Sequence, residues 1–329
     1  RSTLSSSSAA SDVYKRQMLI NRGGLENKGL EIGLDFTAID KGDFNLSFGG
    51  NISFNKSKIE NLGLVPGDIL MSDGMGGYSN QQIASYLGNV PSRGNSIKFP
   101  VNIFMEGHEV GLFYGWKTNG MFQEGDTMYS INGSMSQPGD IKVLDLNGDG
   151  VVDLADRTVI GNPNPDYVYG FNVNLSYKGF SMRALFNGVE GNEIVNGNYY
   201  RFGWAEGTYR NIVADAWYDR WTPDNPSATY PRLGYSANLF GALMDRVIED
   251  GSYVRLKSIT LNYDIPLSNN NFIDAANVYI TGSNLFTWTD YSGYDPEITS
   301  FLWDGLLQGT DWNNKPNSRS VLVGVNLNF

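Results

Sequence analysis

The sequence predicts an all-β fold: an antiparallel transmembrane β-barrel, present as a C-terminal partial set of about seven spanning strands with long extracellular loops. Three observations predict it. Apolar and polar residues alternate with period 2 in repeated runs of about ten residues, so each run has one greasy and one polar face. The polar face carries Asn, Ser, Gly and Thr rather than the Lys and Glu of an ordinary solvated sheet. Short turns alternate with very long connections, placing every long loop on one side, as in outer-membrane barrels.

Taken in order, residues 1–17 (R-S-T-L-S-S-S-S-A-A-S-D-V-Y-K-R-Q) are Ser-rich and aperiodic. They read as a non-native or disordered flank, leaving 18–329 as the barrel portion. Leu30, Ile32, Leu34, Phe36 and Ala38 then share a face against Glu31, Gly33, Asp35 and Thr37. Asp40-Lys41-Gly42-Asp43 turns the chain. Phe44, Leu46, Phe48, Ile52 and Phe54 follow, alternating with Asn45, Ser47, Gly49, Asn51, Ser53 and Asn55. Strands of about 10–13 residues reach roughly 33–43 Å. Tilted by about 45°, that length covers the hydrocarbon core of a bilayer.

The stretch 61–165 is irregular, with short strands expected in 97–104 and 110–116. Its Gly-punctuated part, 106–122, implies tight backbone packing. In 166–186, Tyr169, Phe171, Val173, Leu175 and Tyr177 oppose Gly170, Asn172, Asn174 and Ser176. After a tight Lys178-Gly179 turn, Phe180, Met182, Ala184 and Phe186 repeat the apolar face, with Leu185 the exception on the polar side. The connection 188–250 is rich in Trp and Tyr, and 217–221 reads as a short helical turn.

Ile259, Leu261, Tyr263 and Ile265 next alternate with Ser258, Thr260, Asn262 and Asp264. A turn around 266–274 leads to the least regular strand, where Val278 and Ile280 share a face with Gly282, Asn284 and Phe286. A third long loop, 289–317, precedes Val321, Val323, Val325, Leu327 and Phe329, which alternate with Leu322, Gly324, Asn326 and Asn328. An odd number of strands leaves two edges in need of partners, so the set reads as part of a larger barrel. Tyr167, Tyr177, Tyr253 and Tyr263 near strand ends fit an interfacial aromatic girdle, although strand propensity alone favours Tyr.

Composition narrows the function. The absence of Cys removes disulfide and thiolate chemistry, and a net charge of −11 argues against a nucleic-acid partner. A mean hydropathy of −0.30 is compatible with a barrel, whose lumen face and loops are polar. No run of about 18 apolar residues exists to form a membrane-spanning helix, and no charged start leads into a signal-peptide core. His108 is the sole histidine and has no catalytic or metal-ligating constellation around it. With no G-x-S-x-G either, the chain does not read as an enzyme.

The sharpest chemical motif is Asp145-x-Asn147-x-Asp149-Gly150-x-x-Asp153-x-x-Asp156. Oxygen ligands at positions 1, 3, 5, 9 and 12 with Gly at 6 match an EF-hand-type loop for Ca2+, to which Val151 would add its carbonyl. Asp in place of Glu at position 12 shortens the closing arm. The simpler alternative is an acidic surface turn. A second constellation is aromatic: Tyr199, Tyr200, Trp204, Trp217, Trp221, Trp303 and Trp312 fall in the loops. Flat rings there suit stacking on sugars or peptide side chains, with Trp204, Trp221, Trp303 and Trp312 the substrate-binding candidates. Packing within the loops is the competing use.

Five segments, in order, resemble the SusC/RagA-like TonB-dependent transporters. They are G-D-I-K-V-L-D-L-N-G-D-G-V-V-D (139–153) with D-R-T-V-I-G-N-P-N-P-D-Y-V-Y-G-F-N (156–172), D-R-W-T-P-D-N-P (219–226), S-Y-V-R-L-K-S-I-T-L-N-Y (252–263) and G-S-N-L-F-T-W-T-D-Y-S-G-Y-D-P-E (282–297). The resemblance covers about residues 20–329 and corresponds to the C-terminal portion of that family's 22-stranded barrel. It implies import of oligosaccharides or peptides across the Gram-negative outer membrane. It also implies a SusD-like surface lipoprotein as lid, and energy from TonB through an N-terminal plug. Plug and TonB box are not in this sequence, so those parts are expected of a parent protein. The closing V-N-L-N-F resembles a barrel-assembly signal. The alternative from a different class is a cell-surface glycan-binding or adhesion β-protein, which would be monodisperse without detergent.

Overall fold

The computed structural model describes residues 23–72, 75, 77–91, 97–131, 133–202, 211–234, 241–267, 272–298 and 300–329. The flank 1–17 lies outside them. Seven long strands form one antiparallel sheet in chain order: β1 (Gly24–Lys41), β2 (Phe44–Asn61), β3 (Tyr167–Tyr177), β4 (Phe180–Glu190), β5 (Tyr253–Asp264), β6 (Ala275–Thr289) and β7 (Ser320–Asn328). The turns β1–β2, β3–β4 and β5–β6 are short and share one side. The connections 62–166, 191–252 and 290–319 share the other. Lys178 and Gly179 both have positive φ, 47° and 83°, the pairing that matches a tight hairpin to the strands' twist.

The register lines the apolar residues up across the whole sheet. One row runs Ile39, Leu46, Leu175, Met182, Leu261, Ile280 and Val323, one residue from each strand. The row inside it, Thr37, Ser47, Asn174, Arg183, Thr260 and Thr281, is polar until it ends at Leu322. Among the described residues no second layer covers the apolar face: Leu34 is 64% exposed, Phe171 39% and Val323 70%. A patch of this extent is untenable in water, and hydrocarbon satisfies it. Aromatic rings band both ends. Phe44 meets Tyr177, and Phe180 meets Tyr263, on the short-turn side, while Phe54 meets Tyr167 toward the loops.

Three expectations need correction. β1 and β2 each run 18 residues rather than about 10–13, because their far ends continue into the loop layer, where Ile59 is buried. A bulge between Thr37 and Ile39 makes Ile39, not Ala38, the next residue of the apolar row. A second bulge lies between Leu256 and Ser258 and exchanges the faces of β5 beyond it. Tyr253 therefore points inward and is buried, bonded to Asn187, instead of joining the girdle.

The buried core sits in the connections, not in the sheet. Trp116, Phe113, Phe122, Trp221 and Trp312 pack there with Ile141, Leu243 and Met244. Short strands Asn102–Met105 and Leu112–Gly115 pair within this layer, as expected for the first connection. The Gly-rich stretch behaves in two ways. A Cβ on Gly115 would come 2.2 Å from the carbonyl of Leu243, so close packing requires glycine there, whereas Gly107, in a turn, has open space around it and a positive φ. A helical turn forms at Ala214–Tyr218, just ahead of where the sequence placed one.

Candidate functional site

The inner wall of the sheet is built from short polar side chains that bond one another. Asn174 donates to Asn172 (2.8 Å), and the Thr260 and Thr281 hydroxyls meet at 2.9 Å. Towards the loops this wall changes character at the β5 bulge. Regular alternation would send Arg255 and Ser258 to opposite faces; the bulge turns both inward, and Lys257 reaches the same acidic partner as Arg255. Arg255 is 2% exposed; its Nε donates to Thr287 (2.9 Å), its Nη1 to Glu297 (2.6 Å) and its Nη2 to Asp295. Asp295 also accepts the backbone N–H groups of Glu297 (2.9 Å) and Asn317 (2.8 Å). Burial works against the Asp295 charge, yet the N–H of Asn317, the Arg255 guanidinium and the N–H of Glu297 hold its carboxyl below the ordinary value.

This network fastens the third connection to the wall, and a polar cleft of about 480 Å³ opens beside it. Sequence reasoning passed over Arg255 and Lys257. The available signal was two cations at i and i+2 in Y-V-R-L-K-S, inside a strand whose even spacing would otherwise place both on the face of Tyr253 and Ile259. The second and third connections are joined at Asp311, which is buried and accepts from Tyr291 Oη (2.7 Å) and Asn198 (3.2 Å). Burial and this carboxylate push the Tyr291 phenol far up, so it remains a donor.

The acidic loop closes on its own backbone. Asp145 accepts the N–H groups of Gly148 (2.7 Å) and Gly150 (2.8 Å), and Asp149 accepts that of Val151 (2.8 Å). Gly150, at position 6, has φ +84°. Asp153 caps the one-turn helix Leu154–Asp156. Asp156 is fully buried and takes the N–H groups of Leu146 (2.8 Å) and Asp153 (2.8 Å) on separate oxygens. Burial pushes its carboxyl up, against those N–H donors. Trp116 Nε1 donates to the Asp153 carbonyl (2.8 Å), tying the loop to the core. Asn147, Asp149 and Val151 are exposed, and Asp145 is half-buried. Among the described residues no three His, Cys, Asp or Glu side chains gather closely enough to hold a metal ion as they stand.

The aromatic candidates separate by burial. Trp221 is 7% exposed, with Nε1 donating to Gln123 Oε1 (3.1 Å), and Trp312 is 2% exposed. Both are core rings, so the expectation that they offer a face to substrate is corrected: the large apolar surface they bury holds the loop layer together. Trp303 is 72% exposed beside Phe301. Trp204 lies outside the described residues. Tyr199 packs on Tyr230. His108 is half-buried, and burial, with Lys58 nearby, lowers its pKa from the ordinary value.

No family model matches the chain. Over 94% of its length it is 33% identical to TonB-dependent receptor P3 of Formosa agariphila and 32% identical to TonB-dependent receptor P26 of the same organism, matching 29% and 30% of those proteins. It is 28% identical over 96% of its length to TonB-dependent receptor SusC of Bacteroides thetaiotaomicron, matching 28% of it. The fold superposes on a structure of the RagAB peptide transporter with a TM-score of 0.68 at 24% identity, covering 93% of this chain and 29% of that one. The chain thus spans about three-tenths of the length of the curated relatives it matches.

Proposed function

Because the chain belongs to the SusC/RagA-like TonB-dependent receptors, we propose that it supplies seven strands and the outer loop layer of a larger outer-membrane barrel that imports oligosaccharides or peptides. The observation that carries the reading is the sheet itself. An apolar row runs from Ile39 to Val323 across all seven strands with no second layer over it among the described residues, its inner wall is largely amide and hydroxyl, and its long connections lie on one side. That combination suits lipid outside, water and cargo inside, and capture at the cell surface. In this reading both free edges, on β1 and β7, pair with further strands of the barrel.

A SusD-like surface lipoprotein sits over the loop layer, and TonB drives transport through a region outside the matched stretch. Of the four tryptophan candidates, Trp303 meets cargo in this reading, supported by its exposure. The 145–156 loop binds Ca2+, supported by hard oxygen donors at EF-hand spacing and by the turn at Gly150; the ion would stiffen the outer layer. The deciding experiment is uptake. Cells lacking the receptor should fail to accumulate labelled oligosaccharides or peptides that the parent strain imports, and should recover on complementation. Unchanged uptake of both classes overturns the reading.

A further inference from the structure

We propose that the cleft between the loop-side ends of β5 and β6 and the third connection is a subsite for a carboxylate-bearing sugar residue of the cargo. The inference rests on the import reading and adds a substrate class to it. The cleft, about 480 Å³, is large enough for one sugar unit and is walled by strand residues on one side and by 293–296 and 316–319 on the other. Thr287 and Thr289 face it from β6, an inner-wall strand, which places it on the path between the loop layer and the lumen.

Charge accounting sets the ligand's sign. Both acids of the cleft region are consumed. Asp295 is engaged by Arg255 and two backbone N–H groups, and Glu297 by Arg255, Lys257 and the Asn317 amide. Arg319 also lines the cleft, is exposed, and has no carboxylate partner among the described residues. Three cations against two neutralised acids leave one guanidinium to recruit an anion, and its planar fork suits a carboxylate.

Two further features select a sugar over a bare anion. Tyr294, 76% exposed, presents a flat ring at the mouth, the surface on which a pyranose face stacks. Asn284 has φ +52° and donates through Nδ2 to the Ser318 carbonyl (3.2 Å), while its buried Oδ1 has no partner. That oxygen has no exposed surface for a ligand to reach, so the Thr287 and Thr289 hydroxyls on the cleft wall are the groups that offer partners to a sugar hydroxyl. Carboxylate, ring face and hydroxyl together describe a uronic acid.

The test is calorimetric titration of the receptor, purified in detergent, with trigalacturonate and with its fully methyl-esterified form, which keeps the hydroxyls and removes the charge. The acid should bind about tenfold more tightly, the size of one charge-assisted hydrogen bond. Arg319→Gln should abolish the preference with little effect on ester binding, and Arg319→Lys should restore part of it. Tyr294→Ala should weaken both. Heat-dependent gel mobility monitors folding of each variant. Equal affinity for acid and ester overturns the inference and leaves the import reading standing; no binding of either, together with unchanged uptake in the deletion strain, overturns both. An acidic tripeptide that binds while trigalacturonate does not would also overturn it, assigning Arg319 to peptide cargo.

Discussion

Placing one charge on the outer face tests the membrane reading directly. β3 has 11 residues, and Phe171 is the fifth. At about 3.3 Å per residue and about 45° of tilt, the strand crosses roughly 25 Å, the height of a barrel's apolar band. Phe171 therefore lies near mid-band, stacked on Phe186 with ring centres 4.4 Å apart and planes within 8°. Phe171→Ala removes that stacking, about 0.5–1.5 kcal/mol. Phe171→Arg adds the cost of a cation at that depth, a further 2–4 kcal/mol or so. Asn172→Arg, one residue on and facing the polar interior beside Asp35, should cost about 1 kcal/mol or less. A difference of about 3 kcal/mol is roughly a hundredfold in the folded-to-unfolded ratio. Urea unfolding of the receptor in phospholipid vesicles, followed by tryptophan fluorescence, reads it. If the two arginine variants unfold together, or Asn172→Arg unfolds first, the assignment of the faces is wrong.

Arg255→Met should cost about 3–5 kcal/mol locally, because it strands the buried Asp295 carboxylate; hydrogen exchange should show 290–319 losing protection, and unchanged exchange would contradict the latch. Since the folded Asp295 carboxyl is held below its ordinary 3.8, its contribution is complete above that value and disappears as pH falls through the depressed one. Protection of 290–319 in the parent protein should therefore weaken in strong acid, and a flat profile would count against the ion pairs. Excess calcium should slow exchange of the amides in 145–156 relative to excess chelator, and Asp145→Asn with Asp149→Asn should erase the difference; identical rates with either additive would refute binding. Trp221→Ala should destabilise the loop layer by about 3–5 kcal/mol by opening a cavity, whereas Trp303→Ala should stay within about 0.5 kcal/mol; thermal melts that reverse this order would refute the burial assignments.

Much of this architecture was legible in the residues. Alternation in F-N-V-N-L-S-Y or V-L-V-G-V-N-L fixes which side chains share a face, because side-chain direction along a strand has period 2 whatever the surroundings. The turns at Gly42 and at Lys178-Gly179 were readable for the same local reason. Alternation cannot reveal where it slips. A bulge adds one residue, and that residue reverses every side chain beyond it. Hence Ala38 was assigned to the wrong side, Tyr253 to the girdle, and the Arg255–Lys257 pair went unnoticed.

The loop layer was opaque for a different reason. Whether Trp221 or Trp303 is buried depends on partners such as Gln123, nearly a hundred residues away, and no local pattern encodes them. The sequence by itself determined the strands, their two faces and the side on which the loops fall, because each follows from backbone geometry over a few residues. Only the tertiary structure decided which aromatic rings are core, where the register shifts, and that Arg255 with Asp295 fastens the third connection, because those depend on groups brought together by the fold across long separations in the chain.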